Sequence, residues 1–332
     1  MASVVAERYI YLPSIFFSIL VAFLYERYIR SINKENKIWV MILCFFIISA
    51  YAARTVARNE DLKSERQFWK TTLESSPNSP NAHNMMGVLY LRDGNIKRAI
   101  SEFNIAMKLN PRFSQPYNNL GTLSSYIGEA QAINYLQKAI ELDPNLADAH
   151  SNLGILYKEK GRIPEAMDLY HRAIELDPTH KKAYMNLGNL YMVIDKHKEA
   201  IELYKKALEI DPNYTQAYFN LGVAFNKANS NNEAIYFLNK ALKTNPLYLR
   251  AYSKLGEIYI NMNKNVEAIA LFKEALKVDP KSSSFHFNLA RLYFKVKEYN
   301  FAVLHCDKAK DLGYRIPSGF LNSLHPYRER KK

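Results

Sequence analysis

The chain has 332 residues, a net charge of +13 and two cysteines. Eight of those charges lie in residues 1–58 and 315–332, and the remaining +5 is spread over 256 residues. That is a solvated surface, which excludes the phosphate-tracking stripe a nucleic-acid binder needs. Cys44 falls in an apolar segment and Cys306 at a packing position of a distant hairpin, which excludes a disulfide framework.

Residues 1–58 read as a membrane hairpin of two helices. Tyr9 to Tyr25 and Ile38 to Ala53 are free of charged residues, 17 and 16 residues long, and joined by a short polar stretch, SINKENK. They stand at the short end of what crosses a hydrocarbon core, with Trp39, Tyr51 and the tyrosines around the first segment as interfacial anchors. Ala50-Tyr51-Ala52 has the shape of a signal-peptide cleavage site, but it follows a second apolar stretch far from Met1, so an anchored hairpin accounts for more of the sequence. Arg27, Arg30, Lys34 and Lys37 crowd the connecting loop, against Arg8 on one side and Arg54 and Arg58 on the other. The positive-inside rule places that loop in the cytoplasm. The expected localisation is therefore integral membrane, with everything after residue 58 in a periplasm, at the cell exterior or in an ER lumen. The basic ends suit anionic lipid headgroups.

Residues 59–79 predict a docking helix. Trp69 and Pro77 stand where the second half of a repeat would put them.

From residue 80 to 314 one phrase of about 34 residues recurs seven times. A small residue is eighth in each unit: Gly87, Gly121, Gly154, Gly188, Gly222, Gly256 and Ala290. An alanine follows at the twentieth position in all but the second unit, where Ala132 arrives one residue early, so a position is missing after Gly128. Small residues at these two places let two antiparallel helices approach. Apolar residues recur at helical spacing, as in Tyr184, Leu187, Leu190 and Tyr191, then Ile201, Tyr204 and Leu208. The prolines at Pro111, Pro144, Pro178, Pro212, Pro246 and Pro280 end the second helix of each of the first six units. Each unit is a predicted helical hairpin. The pattern resembles the tetratricopeptide repeat family. That resemblance implies an all-α superhelical solenoid of seven hairpins, preceded here by the two transmembrane helices, with the first helices lining a concave groove. Residues 315–332, with Pro317, Phe320, Leu321 and Leu324, predict a capping helix whose Arg328, Arg330, Lys331 and Lys332 trail into solvent.

The candidate ligand-binding residues occupy the sixth position: Asn119, Asn152, Asn186, Asn220 and Asn288, with Met85 and Lys254 interrupting the row. An amide donates and accepts, so a row of them can pair with the backbone of an extended polypeptide. Units about 10 Å apart match about three residues of a chain rising about 3.3 Å each. The same asparagines could equally bond a neighbouring helix. A similar row runs through the repeats of O-GlcNAc transferases. A narrower possibility is a carboxylate clamp of the chaperone-binding kind, for which Asn189, Asn220, Arg250 and Lys254 match and Met185 does not.

No metal or cofactor site is expected. His83, His150 and His286 hold the fourth position, which is tyrosine in the other units, and so read as substitutes for aromatic packing. HExxH, paired-cysteine, phosphate-loop and nucleophile signatures are missing. Asn213-Tyr214-Thr215 is an N-glycosylation triplet that would matter only in an ER lumen.

The opening VAERYIYLPSIFF and the junction RTVARNEDLKSERQFWKTTLESSPNSPNAHNMMG resemble the membrane-to-repeat boundary of the transmembrane-and-tetratricopeptide-repeat O-mannosyltransferases and their prokaryotic relatives. Glu7-Arg8, Tyr11-Leu12-Pro13-Ser14, Arg58 and Phe68-Trp69 carry the likeness. That family's catalytic acids belong to loops upstream of this motif, so the resemblance implies topology and acceptor presentation rather than catalysis in this chain. The reading is a non-enzymatic, membrane-anchored scaffold gripping extended polypeptide for a glycosyltransferase. The alternatives are the C-terminal portion of an active membrane O-glycosyltransferase and a cytoplasmic carboxylate-clamp co-chaperone.

Overall fold

The computed structural model describes residues 65–328, and every described regular element is helical. The two apolar segments and the basic residues Arg330, Lys331 and Lys332 lie outside the described residues. Among those described, no helix is long and apolar enough to cross a membrane. The chain divides into two compact bodies, 1–99 and 100–332.

In the first body α1 (Glu65–Ser75) packs on α2 (Pro80–Arg92), and α3 (Ile96–Leu109) begins. Pro80 opens α2 because its missing N–H is one the first turn leaves unpaired anyway, and Ser79 Oγ accepts from the Ala82 N–H at 3.3 Å. No residue of α1 is buried. Ion pairs tie it to α2 instead: Arg92 to Glu65 at 2.6 Å, and Arg66 to Asp93.

The second body continues with α4 (Ser114–Gly121), α5 (Ser124–Ile127), α6 (Glu129–Leu142), α7 (Ala147–Glu159), α8 (Ile163–Leu176), α9 (Lys181–Val193), α10 (His197–Ile210), α11 (Thr215–Lys227) and α12 (Asn231–Thr244). It closes with α13 (Leu249–Asn261), α14 (Asn265–Val278), α15 (Ser283–Lys295), α16 (Tyr299–Asp311) and α17 (Ser318–Arg328). Apart from α4, which packs on α6 rather than on the short α5, each helix packs on the next, and first helices also touch the first helices of adjoining units, α4 on α7, α7 on α9, α9 on α11 and α11 on α13. This is a stacked-hairpin solenoid. The predicted small residues are where the helices meet. A Cβ added at Gly121, Gly154, Gly188, Gly222 or Gly256 would fall 2.2 to 2.7 Å from Leu136, Tyr170, Tyr204, Leu238 or Phe272 respectively. The twentieth-position alanines are fully buried.

The missing position of the second unit has a local consequence. Elsewhere the turn uses one left-handed residue, such as Gly161, and then a separate N-cap such as Arg162. Here Gly128 does both, at φ 88, ψ 143, and accepts the Ala132 N–H. The first helix of that unit is also broken, into α4 and α5. A backbone with positive φ and extended ψ is open to glycine almost alone. Nothing lies within 4 Å of a Cβ built at Gly128 or Gly161, so the cost of substitution at either is backbone strain. Gly128→Ala should destabilise by about 1–3 kcal/mol, more than Gly161→Ala at about 1–2 kcal/mol. Urea unfolding of both variants checks this, and equal losses would contradict it.

The proline stops work through the residue before them. Asp143, Asp177, Asp211, Asn245 and Asp279 cap their helices in extended conformation, φ between −140° and −129°, as the following proline ring requires. Each side-chain oxygen then accepts the N–H two residues on, at 2.9 to 3.2 Å.

One expectation is extended and one corrected. The fourth-position histidines stand in for tyrosine, with His150 and His286 buried, and the position also makes a polar bond that the sequence did not suggest. Nε2 of His83, His150 and His286 lies 2.9, 3.0 and 3.3 Å from the carbonyl oxygens of Pro77, Pro144 and Pro280, and Tyr117 O–H donates to the Pro111 carbonyl at 3.2 Å. In these four units the position pins the hairpin to the loop before it. Arg328 does not trail into solvent: it donates to Asp307 on α16.

Candidate polypeptide-binding surface

The sixth-position asparagines are half-buried, on α4, α7, α9, α11 and α15. Three of them are joined to the preceding first helix. Asn152 Nδ2 donates to Asn118 Oδ1 at 2.9 Å, Asn186 Nδ2 to Ser151 Oγ at 3.4 Å, and Asn220 Nδ2 to Asn189 Oδ1 at 2.8 Å. Each amide commits one N–H to its neighbour; Asn152 and Asn186 keep the carbonyl oxygen and the second N–H, while Asn220 also bonds the Tyr204 side chain. Asn119 on α4 and Asn288 on α15 take the same position.

The clamp residues are brought partly together. Asn189 Oδ1 accepts from Asn220 and, at 2.7 Å, from the buried Tyr204 hydroxyl on α10. The cations have other partners. Lys254 Nζ is 2.9 Å from Glu257 one turn along α13, and the Arg250 guanidinium lies over the Phe219 ring at 4.8 Å. Met185 is buried. The four residues do not form a preassembled cationic pocket.

Ion pairs between units flank this surface. His180 caps α9, its Nδ1 accepting the Ala183 N–H at 3.1 Å, while Nε2 stands 3.1 Å from Asp148 Oδ1 on α7. The hydrogen bond from His180 holds the Asp148 carboxyl below the usual range. Lys181 reaches Asp211 at 2.5 Å and lies over the Tyr214 ring.

Sequence reasoning missed the pair His286 and His305, whose Nδ1 atoms are 2.9 Å apart across the last hairpin. Their 19-residue separation carries no motif. Burial first, then His286, Lys308 and Lys273, push His305 down to about 4. An unfolded chain would protonate it near 6.5, so its contribution to stability is whole above that pH and is lost as pH falls toward 4. His305→Gln should flatten thermal stability between pH 6.5 and 4, and an unchanged slope would contradict the assignment. Among the described residues no three His, Cys, Asp or Glu side chains cluster as a metal site.

Residues 147–180 and 182–214 match the tetratricopeptide repeat model, residues 130–161 and 256–297 the TPR repeat model, and residues 203–236 a further tetratricopeptide repeat model. The chain is similar to the human protein O-mannosyl-transferase TMTC1, 28% identical over 128 residues, 39% of this chain and 14% of the relative. It is also similar to the mouse protein O-mannosyl-transferase TMTC4, 31% identical over 100 residues, 30% of this chain and 13% of the relative. It thus spans about a seventh of the length of the curated relatives it matches. In fold it is similar to a chain of the APC/C hetero-tetramer Cut9-Hcn1, with TM-score 0.59 and 20% identity over 68% of this chain and 45% of that one. It is likewise similar to a tetratricopeptide repeat protein of Parabacteroides merdae, with TM-score 0.51 and 19% identity over 74% of this chain and 97% of that one. At these identities the structural likeness establishes the fold alone.

Proposed function

We propose that this chain of tetratricopeptide repeats is a protein-binding scaffold whose first-helix surface holds an extended polypeptide, for presentation to a membrane glycosyltransferase. The observation that carries the binding reading is the tied row of Asn152, Asn186 and Asn220. Its amides are fixed in place by the helices they bridge, so binding orders few further side chains. Asn152 and Asn186 still offer an acceptor and a donor and Asn220 an acceptor, which suits a peptide backbone and reads little of its side chains. The weak, partial likeness to O-mannosyl-transferases supports the glycosyltransferase context.

In this proposal residues 1–58 anchor the chain in lipid, residues 59–79 form the docking half-repeat, and the repeats lie outside the cytoplasm. The charge bias of residues 1–58 supports that orientation. The chain binds rather than transfers sugar.

The test places a photo-reactive benzoylphenylalanine in the full chain, at the exposed Val193 on first helix α9 or at the exposed Lys243 on second helix α12. A reduced, alkylated, unfolded polypeptide should cross-link to the first and not the second, with yield falling when Asn186 is replaced by Ala. Equal yields from both sites would end the binding reading. Orientation has its own readout, because Asn213 is exposed at the start of a loop. Expressed in a cell with an endoplasmic reticulum, the chain should gain a glycan that Asn213→Gln removes, and no glycan would reverse the topology.

A further inference from the structure

Resting on the polypeptide-binding reading above, we infer that the first-helix face of the last four units selects a polypeptide with an acidic segment, and that Arg250 and Arg291 hold side-chain carboxylates of that segment. The positive charge that is spread along the sequence is not spread evenly in the fold. Helices α9, α11, α13 and α15 carry seven lysines and arginines against one acid, Glu257. The second helices of the same units, α10, α12, α14 and α16, set nine such cations against eight acids. At the other end of the second body the first helices α4 and α7 carry Lys158 against Asp148 and Glu159.

Ion pairs sharpen the contrast. Lys181 is bound to Asp211 and Lys254 to Glu257, so those charges cancel. Lys182, Lys227, Arg250, Arg291 and Lys295 remain, all exposed and none with an ion pair among the described residues. The four helices keep no acid to set against them, since Glu257 is already taken. The two arginines are also held in place. The Arg250 guanidinium lies 4.8 Å over the Phe219 ring and the Arg291 guanidinium 5.9 Å over the Phe287 ring, each ring being 7% exposed. A ring face attracts the cation without accepting one of its in-plane hydrogen bonds. Both forks therefore keep N–H donors for a carboxylate, which they can grip by two bonds at once.

The amide row stops where this charge begins. Sixth-position asparagines run from Asn119 through Asn220, and the next unit has Lys254. A backbone held along Asn152, Asn186 and Asn220 passes next over α13 and α15. Units about 10 Å apart and a chain rising about 3.3 Å per residue put the acidic side chains about three and about six residues beyond the one at Asn220. Nucleic acid suits the face less well, because the two rings that could stack on bases are buried under the arginines.

The test measures, by fluorescence anisotropy with the full chain, the affinity of a labelled twelve-residue peptide of glycine, serine and threonine with glutamate at every third position. Both termini are blocked, so no terminal carboxylate takes part, and a counterpart peptide has glutamine in place of glutamate. The glutamate peptide should bind at least about fivefold tighter, and should lose that advantage at high salt. Arg250→Gln with Arg291→Gln should bring the glutamate peptide down to the affinity of the glutamine peptide and leave the latter unchanged. Lys240→Gln with Lys243→Gln removes the same charge from second helix α12 and should leave the difference intact. Equal binding of the two peptides by the parent chain would overturn the acidic selection and leave the extended-polypeptide reading standing, whereas binding of neither would bring down both. A loss from the α12 pair as large as from the arginine pair would overturn the assignment to this face, and tighter binding of a thymidine oligonucleotide with the same number of charges would overturn the choice of a polypeptide. Should the double arginine variant fail to fold, Arg291→Gln alone decides, by weakening the glutamate peptide only.

Discussion

Gly256→Ala should destabilise the second body by up to about 2 kcal/mol, although alanine is the better helix former by about 1 kcal/mol. The added Cβ would stand 2.2 Å from Phe272 Cζ and 2.7 Å from Cε1. Phe272 is 1% exposed and packed against Phe285 and Leu289, so the ring has nowhere to withdraw. Overpacking of this kind costs about 1–3 kcal/mol, which outweighs the propensity gain at most points of that range. The sequence contains its own control. In the seventh unit the eighth position is Ala290 and the residue equivalent to Phe272 is the small, buried Cys306, both in one core cluster. In a Phe272→Cys background, itself costly because it empties a core site, Gly256→Ala should therefore become neutral or slightly stabilising. The cycle of the four proteins, measured by urea unfolding, should show a coupling of about 2 kcal/mol. An equal penalty in both backgrounds would mean that helix contact does not select glycine at this position.

This contact explains why the hairpins were legible in sequence. The size of the residue at a helix crossing is constrained by the opposite helix in every unit, so Gly121 through Gly256 announce themselves by period. The lost position after Gly128 was legible for the same reason, since it shifted the next alanine by one. What escaped the sequence reading are bonds to backbone atoms and bonds whose partner varies. The reach of His83, His150 and His286 to a proline carbonyl six residues back leaves no signature, because any residue has a carbonyl. In the asparagine row the sixth position repeats, but its partner is Asn118, then Ser151, then Asn189, so no fixed pair of letters marks the bond. The two readings open for these amides, a ligand or a neighbouring helix, are not exclusive: one N–H of each of the three belongs to the neighbouring helix. Arg328 was misread because its partner, Asp307, is an ordinary surface residue until α17 folds back over α16.

Leu324→Ala tests whether that fold-back closes the array or merely decorates it. Leu324 is fully buried beneath α17, and the helix is held by rings on both sides of it. Phe320 lies edge-on to Phe287 and Phe294 at 5.7 Å each, Tyr327 stacks on Tyr299 at 3.6 Å, and Tyr314 stacks on Phe287 at 4.6 Å. Removing the Leu324 side chain should cost about 2–5 kcal/mol, the range for leucine truncation in a core. In a stacked array each unit is stabilised mainly by its neighbours, so the loss should be local before it is global. With the cap loosened, Phe287 and Phe294 meet water, and the hairpin of α15 and α16 loses its only packed partner on that side among the described residues. Amide exchange should therefore speed first in residues 283–311 and leave α7 and α8 protected. The same hairpin holds His286 and His305, so opening it relieves the burial that keeps His305 near 4 and makes protonation easier. Acid should then deepen the defect, with the protection of α15 and α16, corrected for intrinsic exchange, falling further as pH drops from 6.5 toward 4. Uniform loss of protection from α4 to α16 would show that the body unfolds as one unit and that α17 has no special hold on its end.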